Sequence, residues 1–228
     1  MKILFVRHGH PNYEKDCLTD LGHRHAAAAA VRLREENIAE IYSSTCGRAL
    51  ETAQHTADDL GLKVHPFDFM REINWDSADG QPLRFDGHPW DTADRMVVDN
   101  LPLLDPDWAS KEPFHRNTVV QSVKKVGDGI DRWLEGLGYR REGQYYRVTD
   151  NTEKTVAVFC HGGASCAMLS RMFNLPFPFA IAVLGLDYTG ITAVSLAGDP
   201  GDLATPKFIC VNDARHIQGL RVENYFGK

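Results

Sequence analysis

Two histidines in this sequence stand in the same local setting. His8 follows the apolar run Ile3-Leu4-Phe5-Val6 and Arg7, and precedes Gly9; His161 follows the run 155–160 and precedes Gly162 and Gly163. A short continuous apolar run reads as a strand buried on both faces. In an open parallel sheet, ligands bind outside the carboxyl ends of the strands. If these two strands are neighbours, both imidazoles face one crevice, and the glycines let a ligand approach the backbone. The helix start after His161, around Gly162 and Gly163, offers N–H groups to an anion. Arg7 precedes His8, and Arg48 lies just past a second predicted strand. The guanidinium fork matches phosphate oxygens and keeps its charge. Two arginines and two histidines around one crevice are costly to hold without an anion, which points to a phosphoryl group.

The elements that must position these residues can be read along the chain. Thr19 or Asp20 caps a helix running through the alanines at 26–30 to about Glu36. Ile41 and Tyr42 read as a short strand ending at Ser43-Ser44, followed by a helix from about Gly47 to Leu60 with Gly61 as its stop. Strand and helix alternating at these spacings imply a three-layer α/β/α fold around a mostly parallel, doubly wound sheet. The rhythm lapses over about 76–116, where Pro82, Pro89, Pro102, Pro106 and Pro113 mix with Phe85, Trp90, Trp108 and Phe114. That stretch reads as a partly helical cap inserted in a single domain, with Trp90, Trp108 and Phe114 as its own core. A helix over about 118–137 follows, with a strand or hairpin near Tyr145–Val148. Strands at 155–160, 190–196 and 206–211 complete the pattern, with a helix from Gly162 to about Phe173.

Composition narrows the classes. The 228 residues carry a formal charge of −6, with 43% apolar and 25% charged residues. This is ordinary globular composition, and neither a nucleic-acid partner nor an anionic membrane surface is expected. No run approaches the roughly 20 apolar residues of a membrane span. The scattered Cys17, Cys46, Cys160, Cys166 and Cys210 match neither a disulfide framework nor a zinc site. A reduced cytoplasm is therefore the expected location.

Taken together, the motifs resemble the histidine phosphatase superfamily, the phosphoglycerate-mutase-like family. Arg7-His8-Gly9 matches its N-terminal signature, and Leu18-Thr19-Asp20-Leu21-Gly22 resembles the opening of its first helix. Tyr42-Ser43-Ser44 through Arg48-Ala49 and Thr52-Ala53 matches the block of the second phosphate-binding arginine. Arg71-Glu72-Ile73-Asn74-Trp75 resembles the block of the acidic catalyst, and Cys160-His161-Gly162-Gly163 the second-histidine block. The resemblance implies that His8 attacks phosphorus and becomes phosphohistidine, while Arg7, Arg48 and His161 hold the equatorial oxygens. Glu72 is then the proton donor and later the base, its pKa raised by a pocket walled by Trp75. Asp76, Asp79 and Asp86 are the other acids nearby. The family often has an acid or glutamine after Arg-His-Gly, whereas this chain has His10 and Pro11. Asn12 is the nearest counterpart of a family asparagine that contacts phosphate.

The leading expectation is a phosphatase acting on small organic phosphate monoesters, with no metal or other cofactor. A phosphoglycerate-type mutase is the first rival and needs a basic cap. Here Arg84, Arg95, Lys111 and Arg116 face Asp86, Asp91, Asp94, Asp99, Asp105, Asp107 and Glu112, which favours hydrolysis. A non-catalytic phosphate-binding module on the same fold is expected to lose His8 or the acid. A metal-dependent hydrolase lacks ligand spacing, because His23 and His25 fall on different helix faces and Pro11 ends the strand after His10.

Overall fold

A computed structural model of the chain describes residues 1–75, 88–150 and 153–220. Strand β1 (Lys2–Arg7) leads through the small hairpin β2 (Pro11–Asn12) and β3 (Cys17–Leu18) into helix α1 (Asp20–Leu33). Strand β4 (Ile38–Ser44), helix α2 (Gly47–Leu60) and strand β5 (Val64–Phe67) follow. Then come α3 (Pro89–Val98), α4 (Thr118–Gly136), and the hairpin of β6 (Tyr139–Glu142) and β7 (Tyr145–Val148). The chain continues through β8 (Thr155–Cys160), α5 (Gly162–Phe173), α6 (Phe177–Val183), β9 (Ile191–Ser195), β10 (Leu203–Ala204) and β11 (Lys207–Asp213).

Six strands form one sheet in the order β11-β9-β1-β8-β4-β5. Strands β1, β8, β4 and β5 are parallel, and β9 and β11 extend the sheet antiparallel beyond β1. The expected mostly parallel α/β fold is present. Strand β4 is longer than its apolar centre suggested, because Ser43 and Ser44 continue the ladder. Strand β5 carried little signal: Pro66 and polar His65 suit only a sheet edge, which is where it lies.

The alternation within β1 divides the core. Ile3 and Phe5 join the cluster under α4, α5 and α6, while Leu4 and Val6 join the one under α1 and α2. Both faces are thus covered, which is why the strand reads as an unbroken apolar run. Each such side chain contributes roughly 1.5–3 kcal/mol by burial. Thr19 caps α1 by accepting from the Gly22 N–H at 3.1 Å, and Gly61 ends α2 at φ +68°.

The register of β1 against β8 matters most for the site. Arg7 is opposite Cys160, so His8 and His161 leave neighbouring strands at the same end of the sheet.

The aromatic residues expected to form one core divide into two groups. Trp108 and Phe114 pack against Phe177 of α6, at ring distances of 5.5 and 6.3 Å. Trp90, in the first turn of α3 beside N1 Pro89, instead meets Trp75 and His88. Pro82, Arg84, Phe85, Asp76, Asp79 and Asp86 lie outside the described residues.

Candidate active site

His8 is buried at 1% exposure, and its Nδ1–H donates to the Gly9 carbonyl at 2.8 Å. That bond puts the proton on Nδ1 and leaves the Nε2 lone pair available. Arg48 Nε donates toward the same Nε2 from 3.4 Å, consistent with this tautomer. Burial, and then the Arg7 charge, hold the His8 pKa well below the usual histidine range. The ring is therefore a neutral base with its reactive nitrogen turned toward the arginine, as a nucleophile requires.

His161 caps the start of α5, and its ring centroid lies 5.1 Å from that of His8. Its Nε2 lies 2.8 Å from Ser44 Oγ, which accepts from the Cys46 N–H. Ser44 Oγ has one proton to donate to Nε2 and a second lone pair with which to accept from it; when the serine donates, the imidazole proton lies on Nδ1. That Nδ1 is buried without a hydrogen-bond partner, a donor suited to an anion's oxygen. Burial and the charges around His8 and Arg48 depress the His161 pKa strongly.

The arginines are held from behind. Arg7 donates from Nη1 to the Leu186 carbonyl at 2.7 Å, and its guanidinium sits 4.6 Å from the Tyr188 ring centroid. Arg48 pairs through Nη1 with Asp16, whose other oxygen accepts from the Gly47 N–H at 2.8 Å. Tyr13 lies on the same side, with the Arg48 guanidinium 5.4 Å from its ring centroid.

Glu72 reaches the start of α5, where its carboxylate accepts from the N–H groups of Gly163 (3.3 Å) and Ala164 (2.8 Å). This changes one expectation. The Gly163 N–H is taken by the protein's own acid, leaving Gly162 as the N–H at the helix start that Glu72 does not occupy. Burial raises the Glu72 pKa, opposed by these backbone bonds, the Ile73 N–H and the Arg7 charge. Gly163 has to be glycine for this approach, since a Cβ there meets Ile73 at 2.6 Å and Glu72 Oε1 at 2.8 Å.

His8, His161, Arg7, Arg48, Glu72 and Gly162 thus cluster around the carboxyl ends of β1 and β8. Asn12 stands differently: it lies in β2, and its Oδ1 accepts from the Lys15 N–H at 3.1 Å, closing the hairpin turn. Three supporting residues escaped the sequence reading. Asp16 gave no signal, since an acid in a turn normally reads as solvated. Tyr188 lies just before a strand with no motif around it. Ser44 stood within a quoted motif without an assigned role. The free thiols Cys160 and Cys166 are buried; burial pushes the Cys160 pKa up to about 12, so it is no rival nucleophile. Among the described residues, no group of three His, Cys, Asp or Glu side chains is arranged to hold a metal ion. No helix among them is long and apolar enough to cross a membrane.

A mostly parallel α/β sheet thus brings two histidines and two arginines together at its carboxyl end. Residues 3–207 match the histidine phosphatase superfamily (branch 1), and the chain belongs to that family. A probable phosphoglycerate mutase GpmB from Yersinia enterocolitica is 33% identical over 92 residues, which is 36% of this chain and 43% of that protein. Among solved structures, phosphoserine phosphatase from Entamoeba histolytica in complex with phosphoserine superposes with a TM-score of 0.64 at 21% identity, over 95% of this chain and 98% of that one. A mycobacterial glucosyl-3-phosphoglycerate phosphatase does so at 0.63 and 22%, over 92% and 98%. At these identities the structural likeness speaks for the fold.

Proposed function

We propose that this chain is a metal-independent phosphatase that hydrolyses small organic phosphate monoesters through a phosphohistidine at His8. The observation that carries the reading is the buried neutral His8, its Nδ1–H fixed on Gly9 and its Nε2 turned to Arg48. In this reading Nε2 attacks phosphorus in line, forming the N–P bond as the bond to the ester oxygen breaks. Arg7, Arg48, the His161 Nδ1–H and the Gly162 N–H take the equatorial oxygens. Glu72 enters protonated, gives its proton to the departing alkoxide, and then takes one from the water that attacks phosphohistidine. Its raised pKa supports the first half of that cycle. Asn12 keeps a place in the proposal through its Nδ2 amide, since the Lys15 N–H engages only its Oδ1. The two guanidinium groups supply the positive charge for which other phosphatases use metal ions. The segment over about 76–116 is read as the substrate-selecting cap of this single domain, which fits the expected cytoplasmic setting.

A mutase returns the phosphoryl group to a doubly anionic acceptor, and the cap favours the hydrolase. Two of its described cations, Arg95 and Lys111, are engaged by Asp99 at 3.0 Å and Asp105 at 2.7 Å, while Arg116 stands outside these pairs. The test is phosphate release from p-nitrophenyl phosphate in the presence of a strong chelator, with and without 3-phosphoglycerate. Release that needs His8 and ignores chelator supports the proposal. Loss of release on chelation, or transfer to the acceptor in place of release, overturns it.

A further inference from the structure

Trp90 stands beside the phosphate cradle itself. Its Cζ2 is 3.4 Å from where a Cβ on Gly162 would lie, and the Arg7 guanidinium carbon is 3.6 Å from that same point. The indole thus borders the start of α5 next to a phosphate-binding arginine. Trp75 meets Trp90 edge to face at 6.0 Å, and His88 lies 4.8 Å from Trp90 and 5.1 Å from Trp75. All three residues are only partly buried, with Trp75 and Trp90 packed in part against the larger core cluster. Trp75 is fixed by its carbonyl, which accepts from Asn117 Nδ2 at 3.0 Å, at the cap of α4. Trp90 is fixed by the first turn of α3.

The position of this cluster is what gives it a role. In-line attack by His8 sends the leaving oxygen away from β1, toward the acid that protonates it. Glu72 is that acid, three residues before Trp75 in the chain and bonded to the same helix start that Trp90 borders. Whatever the ester oxygen carries therefore departs along the wall of indoles. A carboxylate on the leaving group gains little there, since indole offers one N–H and no charge. Burial lowers the His88 pKa against the opposing charge of Asp91 at 3.8 Å, and the ring adds aromatic surface to the cluster. A flat apolar ring gains both burial and edge-to-face contact.

We infer that Trp90 and Trp75 form a leaving-group wall that selects phosphate monoesters of planar, aromatic-bearing alcohols over esters carrying a second anionic group. The inference rests on the phosphatase reading and names the substrate class for that site.

Benzyl phosphate, ethyl phosphate and 3-phosphoglycerate compare the leaving groups fairly, because all three release alkyl alcohols. The expected order of kcat/KM is benzyl above ethyl by about tenfold, as ring contact and burial of this size imply, with 3-phosphoglycerate lowest. Trp90→Leu should bring the benzyl-to-ethyl ratio close to one, and Trp90→Phe should restore most of it. A preference for 3-phosphoglycerate, or a ratio unchanged in Trp90→Leu, overturns the inference. Benzylphosphonate and ethylphosphonate cannot turn over, so their Kd values read the same wall by calorimetry. If hydrolysis fails while benzylphosphonate still binds about tenfold tighter than ethylphosphonate, the phosphatase reading falls and the wall stands. Equal affinities remove the wall whether or not hydrolysis occurs.

Discussion

Glu72 Oε1 accepts a hydrogen bond from the Ala164 N–H at 2.8 Å, so the acid is tied to the helix that begins immediately after His161. The second histidine and the acid therefore share one rigid support. His8, the proposed nucleophile, directly follows the neighbouring strand, which pairs residue for residue with the strand that precedes His161.

That support predicts an effect of Gly163→Ala. The added methyl meets Ile73 and Glu72 Oε1 at 2.6 and 2.8 Å, so the acid has to move. Misplacing a catalytic group by about 1 Å costs up to about 100-fold, and kcat should fall between about 10- and 100-fold. Circular dichroism should show an unchanged fold. An unchanged kcat would contradict the placement of the acid.

The pH dependence has a definite sign on each side. His8 attacks only when neutral, so kcat/KM falls as pH drops through its depressed pKa. Glu72 gives a proton only when protonated, so kcat/KM falls as pH rises through its raised pKa. The two limbs together make a bell-shaped profile. Glu72→Gln should lower kcat by about 100-fold or more and remove the alkaline limb. A variant that keeps that limb shows that another group supplies the proton.

In the proposed mechanism Ser44 donates to His161 Nε2 across 2.8 Å and so keeps the imidazole proton on Nδ1. Ser44→Ala leaves that nitrogen without its donor, a loss of about 1–3 kcal/mol. We expect kcat to drop at least about fivefold and nitrogen NMR to show the His161 proton shifting from Nδ1 toward Nε2. Ser44→Thr keeps the hydroxyl and should restore both. An unchanged tautomer in Ser44→Ala would remove serine from the account.

Stability should fall with acid for a specific reason. Burial presses the His8 and His161 pKa values below the unfolded value of 6.5. Below pH 6.5 the unfolded chain takes up protons that the folded site refuses, so unfolding gains up to about 1.4 kcal/mol per pH unit for each histidine. This loss continues until the pH passes the folded pKa values. Glu72 works in the opposite direction, since its raised pKa favours the folded state as pH falls, but the histidines outnumber it, because burial also lowers the pKa values of His25, His55, His88 and His216. Urea unfolding at pH 7.5 and pH 5.5 should therefore show lower stability at the acid value. His8→Asn with His161→Asn should make the dependence shallower, since these two histidines carry the largest shifts; an equally steep dependence in that double variant contradicts the assignment.

Much of this was legible because the signals were local. The unbroken Ile3–Val6 run demanded burial on both faces, and His8 followed it directly. Gly61 and Thr19 marked helix ends through backbone requirements that few other residues meet. What could not be read depended on contacts between distant segments. Asp16 acquires meaning only because the hairpin turn folds over Arg48. The Gly163 N–H looked available until Glu72, some ninety positions earlier, proved to accept from it. Trp90 and Trp108 both sit among prolines and acids, yet one borders Gly162 and Arg7 and the other packs on Phe177. The antiparallel direction of β9 likewise follows from the path of α6 and the loop after it, and an apolar strand carries no sign of its direction.

The central claim is that phosphate passes through His8. The most direct measurement is an alkaline quench of the enzyme during turnover of p-nitrophenyl phosphate, followed by mass spectrometry of the intact chain and its peptides. The account predicts one phosphoryl group per chain, on His8, absent from His8→Ala, which should also release no phosphate. Steady turnover by His8→Ala, or a phosphoryl group trapped on another residue, would contradict it.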